Sequence, residues 1–289
     1  MSATRSRISS ARQNESSKLY DEGVAALKAN DVFLKLMVEK GVLVQNEAGA
    51  YREAKKLEYQ EAMNALAIVN KIDALAWQTR YVHRKMQAES NSKDLDALVK
   101  NCHILTGCCD QLEKMRPDAE EKQQIADARR ATQSYADTAA QEFEEHKRDA
   151  KSDKLAEICK HNSETGGAIV KAATDYLAAK EGKVNKIAGA LFIVTDIAQT
   201  APTARVAMMT YMRTKNPADW KNVRDNVSKL SKLYEDLRKV SLTFDDQQRI
   251  DRADKATQEY LASGTAWVEN QRKLDEVILP QMKKGSSGI

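Results

Sequence analysis

The chain has 289 residues, 42% hydrophobic and 30% charged, with 11 Gly and 4 Pro against abundant Ala, Lys, Glu, Asp and Gln. That balance is the composition of an all-α protein. A net charge of +4 is spread along the chain without a basic stripe, which argues against a nucleic-acid binder. No apolar run approaches the ~20 residues that span a bilayer, and the polar, Ser/Arg-rich opening MSATRSRISSARQNESS lacks a signal-peptide pattern.

In chain order, residues 16–40 predict an amphipathic helix that resembles the last helix of a module. A long helix follows, with apolar seats at Ile68, Ile72, Leu75, Thr79, Val82 and Met86. Asn91 is a good N-cap, with Asp94 at the third helical position as in a capping box. The short helix after it seats Leu95, Leu98, Cys102, Leu105, Cys109 and Leu112 at alternating steps of three and four, the seam of a helical bundle. Pro117-Asp118 ends it, and the next helix seats Ile125, Ala128, Thr132, Tyr135 and Ala139. Gly166-Gly167 predicts a turn between modules.

The pattern then recurs. A long helix seats Ile193, Ile197, Thr200, Ala204, Ala207 and Tyr211, with a kink expected at Pro202. Asn216, Pro217 and Asp219 repeat the cap. Trp220, Val223, Val227, Leu230, Tyr234 and Leu237 form the second short seam. A turn is expected over 241–245, then a helix with Ile250, Ala253, Thr257, Tyr260 and Gly264, and a flexible tail at 285–289. Sliding the chain on itself by 125 positions lays ATQSY at 131–135 on ATQEY at 256–260, and matches 20 of 80 ungapped positions from 64 to 143. The register continues weakly through Gly41/Gly166, Tyr51/Tyr176 and Lys55/Lys180. A period of 125 is too long for a solenoid repeat of ~20–50 residues. The expectation is therefore a tandem duplication of two stacked four-helix-bundle modules, residues 41–163 and 164–284, after an N-terminal segment 1–40. Helices of about 40 residues, ~60 Å long, would make an elongated rod.

Two polar sets recur with the repeat. Thr132 and Tyr135, and Thr257 and Tyr260, put hydroxyls on a seam face. Each Thr can bond back to a carbonyl one turn earlier, or the hydroxyls can line an interior pocket. Arg80 and Arg205 each lie one residue past a seam seat. There a guanidinium either pairs with a neighbouring Glu or Asp, or holds a ligand carboxylate in two parallel hydrogen bonds. Cys102, Cys108 and Cys109 occupy the repeat seats of Val227, Leu233 and Tyr234, which makes them small core hydrophobes. No CxxC or HExxH spacing, nucleophile elbow or phosphate loop occurs, so no metal, cofactor or enzymatic activity is expected.

From about Asn64 to Leu274, the Arg80…Met86…Asn91 and Arg205…Tyr211…Asn216 patterns, with Tyr135 and Tyr260, resemble the helical bimodular sensor domain of bacterial chemoreceptors and sensor histidine kinases. The resemblance implies two four-helix bundles, each able to hold a small organic acid of the acetate or C4-dicarboxylate type. It places the domain in the periplasm, membrane-tethered in a longer receptor by segments outside this chain. Arg80 then grips a ligand carboxylate, helped by hydroxyls around Thr257 and Tyr260, with Arg205, Thr132 and Tyr135 as counterparts. The family's second arginine is replaced by His83, and by Met208 in the second copy, with Arg84 beside it, which argues against a dicarboxylate and leaves a monocarboxylate, another ligand or none. The expected function is ligand sensing in chemotaxis or two-component signal transduction, by helix displacement. A homodimer is among the expected assemblies. The alternatives are an interaction bundle that docks a partner such as a periplasmic binding protein, or a structural helical rod.

Overall fold

A computed structural model describes residues 2–115, 117–240 and 243–286. Among the described residues every regular element is helical and no strand occurs. The elements are α1 (Ser2–Glu89), α2 (Ser92–Lys114), α3 (Ala119–Arg148), α4 (Asp153–Thr214), α5 (Pro217–Val240) and α6 (Phe244–Lys273). A π-helical turn (Leu274–Ile278) joins α6 to α7 (Leu279–Ser286).

The short turns obey local chemistry. Asn91 Oδ1 accepts from the Lys93 amide at 3.0 Å, and Asn216 Oδ1 accepts from the Ala218 amide at 3.0 Å. Asp118 and Thr243 cap α3 and α6 by accepting from Glu121 N at 2.9 Å and Asp246 N at 3.1 Å. Each such bond satisfies an amide that the first turn leaves open. α1 and α4 both stop on a left-handed residue, Ser90 with φ 50° and Lys215 with φ 56°. Asp94 does not complete a capping box: it turns instead to Lys85, 3.2 Å away. Positions 241 and 242 of the expected turn lie outside the described residues.

Two expected boundaries are corrected. Residues 16–40 are not a separate helix but part of the 88-residue α1, which no proline interrupts. Gly166-Gly167 is no turn, because both lie inside the 62-residue α4. The turn that the glycines seemed to mark is at Asp149–Ser152, where Asp149 Oδ1 accepts from Lys151 N at 3.0 Å and Ser152 Oγ from Leu155 N at 3.1 Å. Pro202 also lies within α4, which continues through it.

The chain forms two compact units. A contiguous unit comprises Lys56–Ala188, and a split unit comprises Met1–Lys55 with Gly189–Ile289. The cuts expected at 41–163 and 164–284 are therefore displaced. The reason is that α1 and α4 each supply residues to both units, so no cut between helices isolates either one. The contiguous unit packs Val69, Leu105, Cys108, Leu112, Ile125 and Val170 in one core cluster, and Leu98, Cys102, Tyr135 and Ala139 in another. The split unit packs Val44, Tyr51, Val194, Ile197, Leu230 and Ile250, then Met37, Met208, Val223, Tyr260 and Trp267. Among the described residues α4 alone is long and apolar enough to cross a membrane by length and composition, which corrects the reading that no stretch came near. It supplies Ala190, Val194, Ile197 and Ala201 to the split unit's core.

The expected burial of Cys102 and Cys109 is found, and Cys108 is buried with them. Burial pushes the Cys102 thiol up to about 12 and the Cys109 thiol up to about 11. Cys159 is half-buried. Burial first, and then its bond to the Glu142 carboxylate, pushes its thiol up to about 11. Because the thiolate is the nucleophile, native labelling with a maleimide at pH 8 should reach Cys159 first. Even so, Cys159 should react about a hundredfold more slowly than an unfolded-chain thiol. Rapid modification of Cys102 or Cys109 in mass spectra of the native protein would contradict the packing.

Candidate functional site

In the contiguous unit, α1 presents Thr79 and Arg80, α3 presents Thr132 and Tyr135, α2 presents Cys102 and Leu105, and α4 presents Gly166 and Ile169. Together with Ala76 they line a cavity of about 10 Å³, room for one water molecule. In the split unit Arg205, Thr257, Tyr260 and Gly41 line a second cavity of about 10 Å³ with Ala201, Ala204, Val227, Leu230 and Val44. All nine positions of the first cavity lie 125 residues from a position of the second. The pairing implied by the family resemblance is thereby corrected: Thr257 and Tyr260 share a cavity with Arg205, and Arg80 has Thr132 and Tyr135 instead. The hydroxyls stand on α3 and α6, and the arginines on α1 (Arg80) and α4 (Arg205).

Glycines lie against these side chains. A Cβ on Gly166 would lie 2.9 Å from the Tyr135 hydroxyl, and one on Gly41 would lie 3.0 Å from Arg205 Cδ. A Cβ on Gly167 would meet the Arg80 guanidinium at 3.5 Å. The bare helix face lets the tyrosine and arginine lie against the backbone.

The threonines bond back as expected, Thr132 to the Ala128 carbonyl and Thr257 to the Ala253 carbonyl, both at 2.8 Å. The tyrosines differ. Tyr260 donates weakly to the Ala204 carbonyl at 3.5 Å. The Tyr135 hydroxyl is 2.6 Å from His83 Nδ1, and His83 Nε2 is 2.9 Å from Glu142 Oε2. Glu142 also accepts from Gln87 Nε2 at 2.7 Å, Asn162 Nδ2 at 2.5 Å and the Cys159 thiol at 3.2 Å. Burial pushes the Glu142 carboxyl up, but the bonds from His83, Asn162 and Gln87 outweigh it and hold the group down at about 2. An ionised carboxylate only accepts, so His83 Nε2 carries a proton; in the neutral ring Nδ1 then accepts from Tyr135. Burial first, with the nearby Glu142 carboxylate adding to it, pushes the Tyr135 phenol far up. The chain Tyr135–His83–Glu142 thus fixes the tyrosine's orientation in the cavity wall.

The arginines differ too. Arg205 donates to Gln45 Oε1. Arg80 is half-buried and, among the described residues, has no hydrogen bond or ion pair. Arg84 is exposed and stands outside the cavity lining. His83, read from sequence as a second ligand-binding position, is buried behind Tyr135. Sequence reasoning missed Glu142, although the signal was present: the α3 seam 125, 128, 132, 135, 139 reaches 142 at the next step, and a carboxylate on a seam seat demands partners. Among the described residues no group of three or more His, Cys, Asp or Glu side chains is placed to hold a metal ion.

A second polar set also recurs at the 125-residue spacing. Lys55 pairs with Asp246 at 2.8 Å in the split unit, and Lys180 pairs with Glu121 at 2.5 Å in the contiguous unit. The lysine nitrogens lie 5.5 Å from the Tyr51 ring centre and 5.2 Å from the Tyr176 ring centre. No family model, no curated protein and no solved structure matches the chain.

Proposed function

We propose that the chain is a non-enzymatic ligand-sensing domain, built by tandem duplication of a four-helix module, that binds a small carboxylate between bundle helices. The observation that carries this reading is Arg80: a half-buried guanidinium without a partner among the described residues, beside a tyrosine held in place by His83, in a cavity whose nine positions all recur 125 residues away. A cation left unpaired beside a core is costly, and an anion that pairs with it recovers that cost. The contiguous unit is the binding module on this reading, since Gln45 already engages Arg205 in the split unit.

A cavity of about 10 Å³ admits a water but not a carboxylate. Binding therefore requires Arg80 to swing and α1 and α4 to part, which couples occupancy to helix position. A ligand that favours the parted arrangement shifts the population towards it. Because α1 and α4 are each continuous, a displacement at Arg80 or Gly166 is carried along the helix that bears it. In a periplasmic receptor domain of the helical bimodular type, those helices would pass the change to the membrane. A second reading, an interaction bundle, draws on exposed apolar side chains: Trp77 and Tyr81 on α1, and Phe192, Val206 and Met209 on α4.

The test is a thermal-shift and calorimetric screen with acetate, pyruvate, succinate, malate and citrate. A ligand at a hundred times its Kd adds about 2.7 kcal/mol of stability. Arg80→Ala should abolish the shift, a loss of about 2–5 kcal/mol for a charge-assisted pair, while Arg205→Ala leaves it. If no acid shifts the midpoint, or if Arg80→Ala binds as well as the parent, the carboxylate reading fails and the interaction bundle replaces it.

A further inference from the structure

The contiguous unit contains a second, much larger space. A cavity of about 520 Å³ opens where α1, α2 and α4 meet near the α2–α3 turn, a volume in the range of small-molecule sites. Its walls are chemically divided. α4 lines it with Tyr176 and Lys183 and the apolar Val184 and Ile187, α1 lines it with Glu61, and α2 contributes Leu112.

The Tyr176 hydroxyl is buried and has no hydrogen-bond partner among the described residues. In the split unit Tyr51 contributes a hydrogen bond to Asp246, alongside Lys55. In the contiguous unit the corresponding carboxylate, Glu121, is taken by two lysines, Lys180 at 2.5 Å and Lys183 at 3.4 Å. Burial pushes the Glu121 carboxyl up, but the bond from Lys180 outweighs it and holds the group ionised. Lys180 and Lys183 thus both reach Glu121 beside the orphaned hydroxyl, and the acids Asp118, Glu58 and Glu61 line the same space, so the walls carry both signs of charge. Across the space, no ion pair joins Glu61 to Lys183 among the described residues.

We propose that this cavity is a binding site for an α-amino-acid zwitterion with a bulky apolar side chain. Lys183 and the Tyr176 hydroxyl receive the carboxylate, Glu61 receives the ammonium, and Leu112, Val184 and Ile187 take the side chain. An amphoteric wall with an apolar floor suits a ligand that carries both charges and an apolar group, and disfavours a simple anion, which Glu61 repels. A buried hydroxyl without a partner is costly in the empty protein and regains its bond when the carboxylate arrives.

The experiment is calorimetry on the full chain with L-phenylalanine and L-leucine. The comparison compounds are 3-phenylpropionate and phenethylamine, each of which lacks one of the two charges. The expected result is saturable binding of the amino acids, at least tenfold tighter than either single-charge analogue. Lys183→Ala and Glu61→Gln should each weaken it tenfold or more. Tyr176→Phe should weaken it while raising the thermal midpoint of the ligand-free protein, a combination that a purely structural tyrosine does not produce. Arg80→Ala should leave it unchanged, so this site and the carboxylate site stand or fall separately. Absence of amino-acid binding overturns the proposal. So does equal affinity for the single-charge analogues, or affinity indifferent to Lys183→Ala and Glu61→Gln.

Discussion

Replacing Glu142 by alanine is expected to destabilise the contiguous unit by about 3–5 kcal/mol, the cost of breaking a buried charged network while leaving its donors behind. His83, Gln87 and Asn162 all spend a hydrogen on this one carboxylate, whose side chain is only 3% exposed. In urea the midpoint of that unit's transition should fall by about 2 M. The pH dependence gives a sharper reading. The folded carboxyl sits at about 2, against an ordinary value of 4.5. A depressed acid adds stability that is complete above the unfolded pKa and disappears as the pH falls through the folded one, here between about 4.5 and 2. The amount at stake is about 3 kcal/mol. The reference is the double variant His83→Gln, Glu142→Gln, which removes both the carboxyl and the imidazole from the network. The stability gap between parent and double variant should hold steady at pH 5 and narrow by about that amount towards pH 2. A gap that stays constant across this range would mean that Glu142 is not held ionised by the network.

Alanine at Gly166 and alanine at Gly41 are expected to act in opposite directions, although the two glycines occupy matching places. In a helix interior Gly→Ala normally gains about 0.5–1 kcal/mol. At Gly166 the new methyl would lie 2.9 Å from the Tyr135 hydroxyl and 3.0 Å from two ring carbons. That ring cannot yield, because it is 2% exposed and its hydroxyl is tied to His83. Overpacking of this kind costs about 1–3 kcal/mol, so Gly166→Ala should be destabilising by about 1–2 kcal/mol. At Gly41 the methyl meets only the flexible stem of Arg205, at 3.0 Å or more, so Gly41→Ala should be neutral or stabilising. Calorimetric midpoints of the two variants decide the matter. Equal shifts of the same sign would show that the tyrosine is not locked.

Much of the helical plan was legible because helix caps and seams are local. Asn91 and Asn216 act where their spacing placed them, and the seats Leu98, Leu105, Leu112, Val223 and Leu237 are buried. The arginine, threonine and tyrosine sets were found from the repeat, and each set lines one cavity. Gly166-Gly167 misled because glycine has two uses, a turn or a close approach, and only the partner across the bundle tells them apart. The unit boundaries were illegible for a related reason. A continuous helix such as α1 shows no chemical break at Lys55, where its packing partners change. The cavity beside Tyr176 was hidden because a void is defined by what three helices fail to fill, which no single stretch records.

The split unit also sets an order on biosynthesis. Its first segment, Met1–Lys55, leaves the ribosome long before Gly189–Ile289. At ~5–20 residues per second the intervening stretch takes on the order of ten seconds to translate. During that interval Met37, Val44 and Tyr51, later covered by residues such as Met208, Val194 and Tyr234, have no partners. The contiguous unit Lys56–Ala188 can form as it emerges, while the first segment waits with an apolar stripe exposed. Aggregation of nascent chains, and any demand for a chaperone, should therefore fall on the N-terminal segment, whose own unit is completed last.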